Sequence, residues 1–195
     1  MEKTNRQADP PAPSPQERQE RALLRLVVAR DRRAFEGLYR LYFPRLVRFI
    51  RQVTRRPDLV DEVLDDVMLV VWRRAETFTE TSRVPTWIFG IAYRQSLKHL
   101  QRDGRRARVP DFQEDEEAGE EAGPELLAMH RQSVVRLRSA LLTLPVEQRA
   151  VVELTYFHGC GYREIAEALG CPVDTVKTRM FHARRKLRLA MGDDL

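Results

Sequence analysis

Residues able to grip a polyanion are concentrated in "YREIAEALGCPVDTVKTRMFHARRKLRL", residues 162–189. Thr175, Lys177, Thr178, Arg179, Phe181, His182, Arg184, Arg185 and Arg188 fall within this one segment. Cationic side chains bond phosphate oxygens, and Arg, Thr and His also reach the edges of bases. A second group has the opposite sign: "PDLVDEVLDDVMLVVWRRAETF" carries Asp58, Asp61, Glu62, Asp65 and Asp66. A third mixes rings with cations. "TFTETSRVPTWIFGIAYRQSLKHLQRDGRR" supplies Phe78, Thr79, Arg83, Tyr93, Arg94, Lys98 and Arg102. Flat π-faces accept unstacked bases while cations hold phosphates, which is the combination that single-stranded nucleic acid needs.

Helical geometry decides which of these residues act together. Ala166 stands four residues before Gly170 and Val176 six beyond it, spacings that suit a helix-turn-helix: a small residue for close approach, a turn, then an apolar anchor. At about 100° per residue, Val176, Met180 and Leu187 pack inward against Ile165 and Leu169. Thr178, Phe181, His182 and Arg185 then lie opposite, with Lys177, Arg184 and Arg188 along one edge. Such a side fits a major groove, and the tail "RRKLRL" suits phosphates. The alternative is a solvated basic helix, or a helix-turn-helix that binds protein.

The same placement puts Val60, Val63, Leu64, Val67 and Val71 on one stripe of the acidic helix and its five carboxylates on the other. Like charges at this spacing cost a few tenths of a kcal/mol per pair in an isolated helix. The face reads either as simply solvated or as a dock for a basic protein partner. In the aromatic segment, Trp87, Ile88, Ile91 and Leu100 read as core, leaving the polar and ring residues named above as contacts.

Composition bounds these readings. The 195 residues are 43% hydrophobic, which fits two small domains, and the formal net charge of +5 favours a polyanionic partner. Residues 1–16 read as a disordered arm, 17–102 as one domain, 103–123 as a flexible acidic linker and 124–190 as a second domain. Asp31 is placed to cap a helix, Pro44 to kink or restart it, and Pro57 to open the next. No stretch alternates as a strand does, so the expected fold is all-α. No apolar run is long enough to span a bilayer and no signal peptide is evident, so no membrane insertion and a cytoplasmic location are expected. Cys160 and Cys171 bracket a helix that holds them more than ~10 Å apart, against a disulfide or a zinc site shared with His158 and His182. No catalytic constellation, metal set or cofactor motif is present, so the chain is not expected to be an enzyme.

Taken in order, "AFEGLYRLYFPRLVRF", "DEVLDDVMLVVW", "TWIFGIAYRQSLKHL" and "LPVEQRAVVEL" followed by "GYREIAEALGCPVDTVKTRMFHARRKL" resemble bacterial RNA polymerase sigma factors of the extracytoplasmic-function (ECF) class of the sigma-70 family. The resemblance spans most of the chain outside the arm and the linker. It implies that residues 17–102 are sigma domain 2, a helical bundle, and 124–190 are sigma domain 4. It implies that the acidic helix docks on the clamp helices of the largest subunit of core RNA polymerase, with a further contact at the polymerase flap. Residues 77–84 and the following helix would capture an unpaired minus-10 base, with Phe78 at the pocket, and the helix after Pro172 would read the minus-35 element. An anti-sigma factor is the further partner implied. Arg94 and Lys98 stand where many relatives carry Asn or Asp, and His182 where Arg is common, so base preference does not transfer. The rival readings are a helix-turn-helix repressor or response-regulator-like protein, which needs only the last part of the chain, and a protein that merely sequesters polymerase.

Overall fold

A computed structural model describes residues 14–103, 137 and 139–191, and within these the chain is helical, with no strand. Helix α1 (Pro15–Val28) starts where the Ser14 hydroxyl accepts from the Glu17 amide and Pro15 takes the first turn. Helix α2 (Arg32–Thr54) is capped by Asp31, whose Oδ1 accepts from the Arg33 and Ala34 amides at 2.8 and 3.0 Å. Pro44, placed to kink or restart this helix, lies inside it, and the helix runs on to Thr54. Its ring leaves the Arg40 carbonyl without the usual amide partner, while Tyr42, Leu46, Phe49 and Ile50 on both sides are wholly buried and keep the helix packed through it. Arg55, at φ 56°, ends the helix in the left-handed region.

Pro57 opens a short 3₁₀ turn (Pro57–Leu59) rather than the α-helix itself, which begins one turn later as α3 (Val60–Arg74). Its apolar stripe of Val60, Val63, Leu64, Val67 and Val71 is buried as the 3.6-residue period requires. After a second 3₁₀ turn (Ala75–Thr77) comes α4 (Val84–Asp103), whose Ile88, Phe89 and Ile91 are buried while Trp87 and Leu100 are partly so. The rings of Tyr42, Phe49 and Phe89 meet at the centre of this first bundle, Phe49 and Phe89 at 5.1 Å between centroids.

The second half comprises α5 (Val146–Tyr156), α6 (Tyr162–Leu169) and α7 (Val173–Met191). Gly170, at φ 63°, ends α6, and the Gly170 and Cys171 amides donate to the Glu167 and Ala166 carbonyls. The tight turn that results sends α7 back across α6, with Val176, Met180 and Ala183 buried and Leu187 partly buried. Most of the linker expected at 103–123 lies outside the described residues, as do most of the arm at 1–16 and the start of the second domain.

The two halves share a continuous apolar core, in which α5 packs on α2 and α6 packs on α4. Among the described residues no helix is long and apolar enough to cross a membrane, and no group of His, Cys, Asp and Glu could hold a metal ion. Cys160 is buried and Cys171 partly buried, both as free thiols. Burial, reinforced by the Glu164 carboxylate, pushes the Cys160 thiol up to about 11, so it is protonated at neutral pH.

Candidate protein-docking and nucleic-acid interfaces

The acidic stripe of α3 divides into two kinds of carboxylate. Asp66 lies 2.9 Å from Nε2 of His99, a residue 2% exposed on α4, and Glu62 pairs with Arg102. Asp58 is held by Arg56 at 2.6 Å, and Arg56 also binds Asp103. These three carboxylates therefore tie the helices of the bundle together. Asp61 and Asp65 are exposed, and among the described residues no side-chain hydrogen bond or ion pair engages either. Asp65 also borders a shallow, largely apolar groove of about 520 Å³ formed with Phe35, Tyr39, Met68, Leu69 and Trp72, with Arg32 at its other side. Acid beside exposed apolar surface is chemistry for a basic, partly apolar protein partner.

The aromatic and basic group on α4 is likewise divided. Phe78 and Trp87 pack at 5.7 Å between ring centroids, so the ring placed at the pocket stands against a partly buried indole. Thr79 is exposed with its hydroxyl 2.8 Å from that of Thr81, and Lys98 is exposed. Tyr93 is only 5% exposed, and burial raises its phenol above the ordinary range, so no face of its ring is offered to a base in this arrangement. Arg83 is engaged by Glu164 at 3.3 Å and Glu17 at 3.7 Å, and Arg102 by Glu62. Arg94 is exposed, with one guanidinium N–H donating to the Ala168 carbonyl at 3.5 Å.

Arg73 and Arg74 add two exposed cations beside this group. They close the last turn of α3 and line, with Trp87, Arg94, Gln95 and Lys98, a groove of about 560 Å³. The signal was present in "WRRAETF": two cations at a helix end, immediately before the loop thought to meet the strand.

Helix α7 carries its cations outward. Lys177, Thr178, Phe181, His182, Arg184, Arg185 and Arg188 are exposed, while Thr175 and Arg179 are partly covered. Their few ties are weak or local: Lys177 to the Asp174 carboxylate at 2.9 Å, the Thr178 hydroxyl to the Asp174 carbonyl at 2.9 Å, Arg184 to the Tyr156 hydroxyl at 3.1 Å, and Arg179 to the Cys171 sulfur at 3.5 Å. Phe181 is 63% exposed on a helix whose opposite side is fully packed, so the whole predicted reading side faces solvent.

Between the halves lies a polar seam that no sequence motif announced. Arg149 of α5, only 8% exposed, donates to the Gln52 and Val53 carbonyls at 2.9 and 2.8 Å, and to Leu144. Its guanidinium thus satisfies two of the orphan carbonyls at the end of α2, where the helix dipole favours a cation. Burial and the nearby Arg55 draw its pKa down to about 10, which leaves it charged at neutral pH. Arg48 pairs with the buried Glu153 at 2.7 Å, and burial raises the Glu153 carboxyl above its ordinary range. His158 lies against Phe89 at 4.2 Å between rings, and burial, with Arg45 and Arg48 alongside, brings its pKa down to about 4.

Comparison with known proteins accords with this geometry. Residues 38–106 match Sigma-70 region 2 and residues 135–187 match Sigma-70, region 4. The chain is 32% identical over 166 residues to the ECF RNA polymerase sigma factor RpoE of Cereibacter sphaeroides, covering 84% of this chain and 89% of that one. It is 32% identical over 176 residues to the ECF RNA polymerase sigma factor SigM of Mycobacterium tuberculosis, covering 90% and 86%. Among solved structures the fold is similar to CnrH in complex with the cytosolic domain of CnrY, with TM-score 0.65, 24% identity and coverage of 91% and 99%. It is similar also to RpoE in complex with the anti-sigma factor NepR from Bartonella quintana, with TM-score 0.68, 20% identity and coverage of 83% and 98%. With two charged helices of opposite sign, a helix-turn-helix and these matches along its length, the chain belongs to the ECF class of RNA polymerase sigma factors of the sigma-70 family.

Proposed function

We propose that residues 17–102 act as the polymerase-docking and minus-10 domain and residues 124–190 as the minus-35 domain, acting in the cytoplasm without catalysis of their own. Asp61 and Asp65 meet the clamp helices of the largest polymerase subunit, with Asp58, Glu62 and Asp66 shaping the face. Phe78, Thr79, Lys98 and the Arg73 and Arg74 pair receive the melted strand near the minus-10 element. Lys177, Thr178, Phe181, His182, Arg184, Arg185 and Arg188 enter the major groove at the minus-35 element, with Thr175 and Arg179 at its edge. Trapping an unpaired base costs a few kcal/mol of unstacking, offset by ring and phosphate contacts in the groove beside Trp87.

The observation that carries this reading is an exposed, unpaired carboxylate pair on α3 in the same chain as an outward-facing cationic α7. A repressor needs only the second. By analogy with the CnrH and RpoE complexes, an anti-sigma factor is the further partner.

Promoter-fragment binding tests the choice. Titrating promoter duplex with the protein alone, and then with core polymerase added, should give weak, salt-sensitive binding alone and selective binding only with the polymerase. Selective binding by the protein alone, as a dimer on a palindromic site, would overturn the proposal in favour of a repressor.

A further inference from the structure

The loop between the second 3₁₀ turn and α4 is the part of the strand-facing surface with least to hold it. Residues 79–83 read "TETSR", with no apolar side chain to bury, so hydrogen bonds and ion pairs must fix the backbone there. Within the loop these are short in range. The Thr79 and Thr81 hydroxyls meet at 2.8 Å, and the Ser82 amide donates to the Thr79 carbonyl at 3.4 Å.

Helix α1 supplies the rest. Arg21 donates from Nη1 to the Glu80 carbonyl at 3.2 Å and from Nη2 to the Ser82 carbonyl at 3.5 Å, so one guanidinium takes two alternate carbonyls of the loop. Arg25 donates from Nε and Nη2 to the two Glu80 carboxylate oxygens at 2.8 and 2.9 Å, a bidentate pairing that fixes direction as well as distance. Glu17 completes the row, pairing with Arg21 at 3.1 Å and with Arg83 at 3.7 Å. Glu17, Arg21 and Arg25 follow one another at i,i+4 spacing, a stripe separate from the buried Glu20, Leu24 and Val27. With the carbonyls of Glu80 and Ser82 turned to α1, the Thr79 and Thr81 side chains are left exposed. Helix α1 also lies wholly before the segment matched to Sigma-70 region 2, which begins at residue 38.

We infer that α1 is a positioning element for this loop: Arg21 and Arg25 hold it in the shape that receives an unpaired base, without themselves touching the strand. This role in base selection rests on the proposed function, whereas the clip of Arg21 and Arg25 on the loop does not. A loop held in shape beforehand avoids an ordering cost at each encounter, and a pocket discriminates between bases only if its atoms stay in place. The rival role for two cations here is direct contact with phosphate. Glu80 separates the two, because removing its carboxylate frees Arg25: strand binding then strengthens if Arg25 meets phosphate, and base selection weakens if Arg25 holds the loop.

The test has two arms. In the full-length protein alone, NMR order parameters at Glu80 and Ser82 should fall from about 0.85 to below about 0.6, both in Glu80→Gln and in Arg21→Met combined with Arg25→Met. In run-off transcription by core polymerase, each of the four bases is placed in turn at each minus-10 position of a fragment that the wild type transcribes. Both variants should lose about tenfold in the ratio between best and worst base. Affinity for core polymerase and for minus-35 duplex should not change, which a general loss of folding would not allow. Should Arg21→Met disturb α1, Glu80→Gln still decides. A wild type that supports transcription from no fragment would overturn the proposed function and with it the role in base selection, while the first arm still decides the clip. Order parameters equal to the wild type's, or a Glu80→Gln protein that transcribes more with base selection intact, would overturn the inference.

Discussion

Charges in the seam and charges on the outer faces of α3 and α7 are held by different things. Arg149 and Glu153 are nearly inaccessible and are fixed by partners in the opposite half. Asp61, Asp65, Arg185 and Arg188 stand in solvent. A buried charge that loses its partner is left with an uncompensated desolvation cost, whereas an exposed one merely rehydrates. The seam residues are thus structural, and the outer ones are available to partners.

The sharpest way to break this contrast is to substitute one cation from each class. Arg149→Met leaves the Gln52, Val53 and Leu144 carbonyls unpaired and should cost about 3 kcal/mol in denaturant unfolding. Arg185→Met on the outer face should stay within about 0.5 kcal/mol of the wild type. Equal effects would erase the distinction.

A pH titration of stability probes the seam next. His158 has its pKa lowered to about 4 in the folded protein, from an ordinary value of 6.5, so its stabilising effect is complete above pH 6.5. It is lost as pH falls from 6.5 toward 4, because the unfolded chain takes up the proton first. Over that window the loss is on the order of 3 kcal/mol, reduced by Glu153, whose raised pKa acts in the opposite direction. His158→Gln should flatten the curve.

On the outer face of α7, replacing Lys177, Arg184 and Arg188 together with Ala should weaken minus-35 duplex binding on the order of a hundredfold and lessen the salt slope by about 3. Folding should be unaffected. The smallest effects distinguish carboxylates within α3 itself. Asp61→Ala with Asp65→Ala should reduce core polymerase affinity about tenfold with no change in melting temperature. Asp66→Ala, by freeing His99, should cost about 1 kcal/mol of stability and affect polymerase binding less.

Much of this was legible beforehand. The stripe of α3 from Val60 to Val71 and the Val176, Met180, Leu187 side of α7 follow from a 3.6-residue period, which is a local property of the chain. The Asp31 cap is local as well. At Pro44 the helix continues rather than restarting, because the penalty of a missing amide is local, while the packing of Tyr42, Leu46 and Phe49 that offsets it is not. The division of the acidic stripe was hidden for the same reason: His99 and Arg102 are more than thirty residues away in sequence from the carboxylates they hold. Arg149 lay in a helix buried on nearly every side, and its partners are backbone carbonyls, which no residue pattern encodes.

The central claim is that this chain directs core polymerase to promoters through the free carboxylates of α3 and the cations of α7. Run-off transcription by core polymerase from promoter fragments, with and without the protein, tests it most directly. The account predicts transcripts that require the protein and fall when Asp61 and Asp65 are both replaced by Ala. Transcripts from no fragment, while the protein alone binds those fragments selectively, would contradict it.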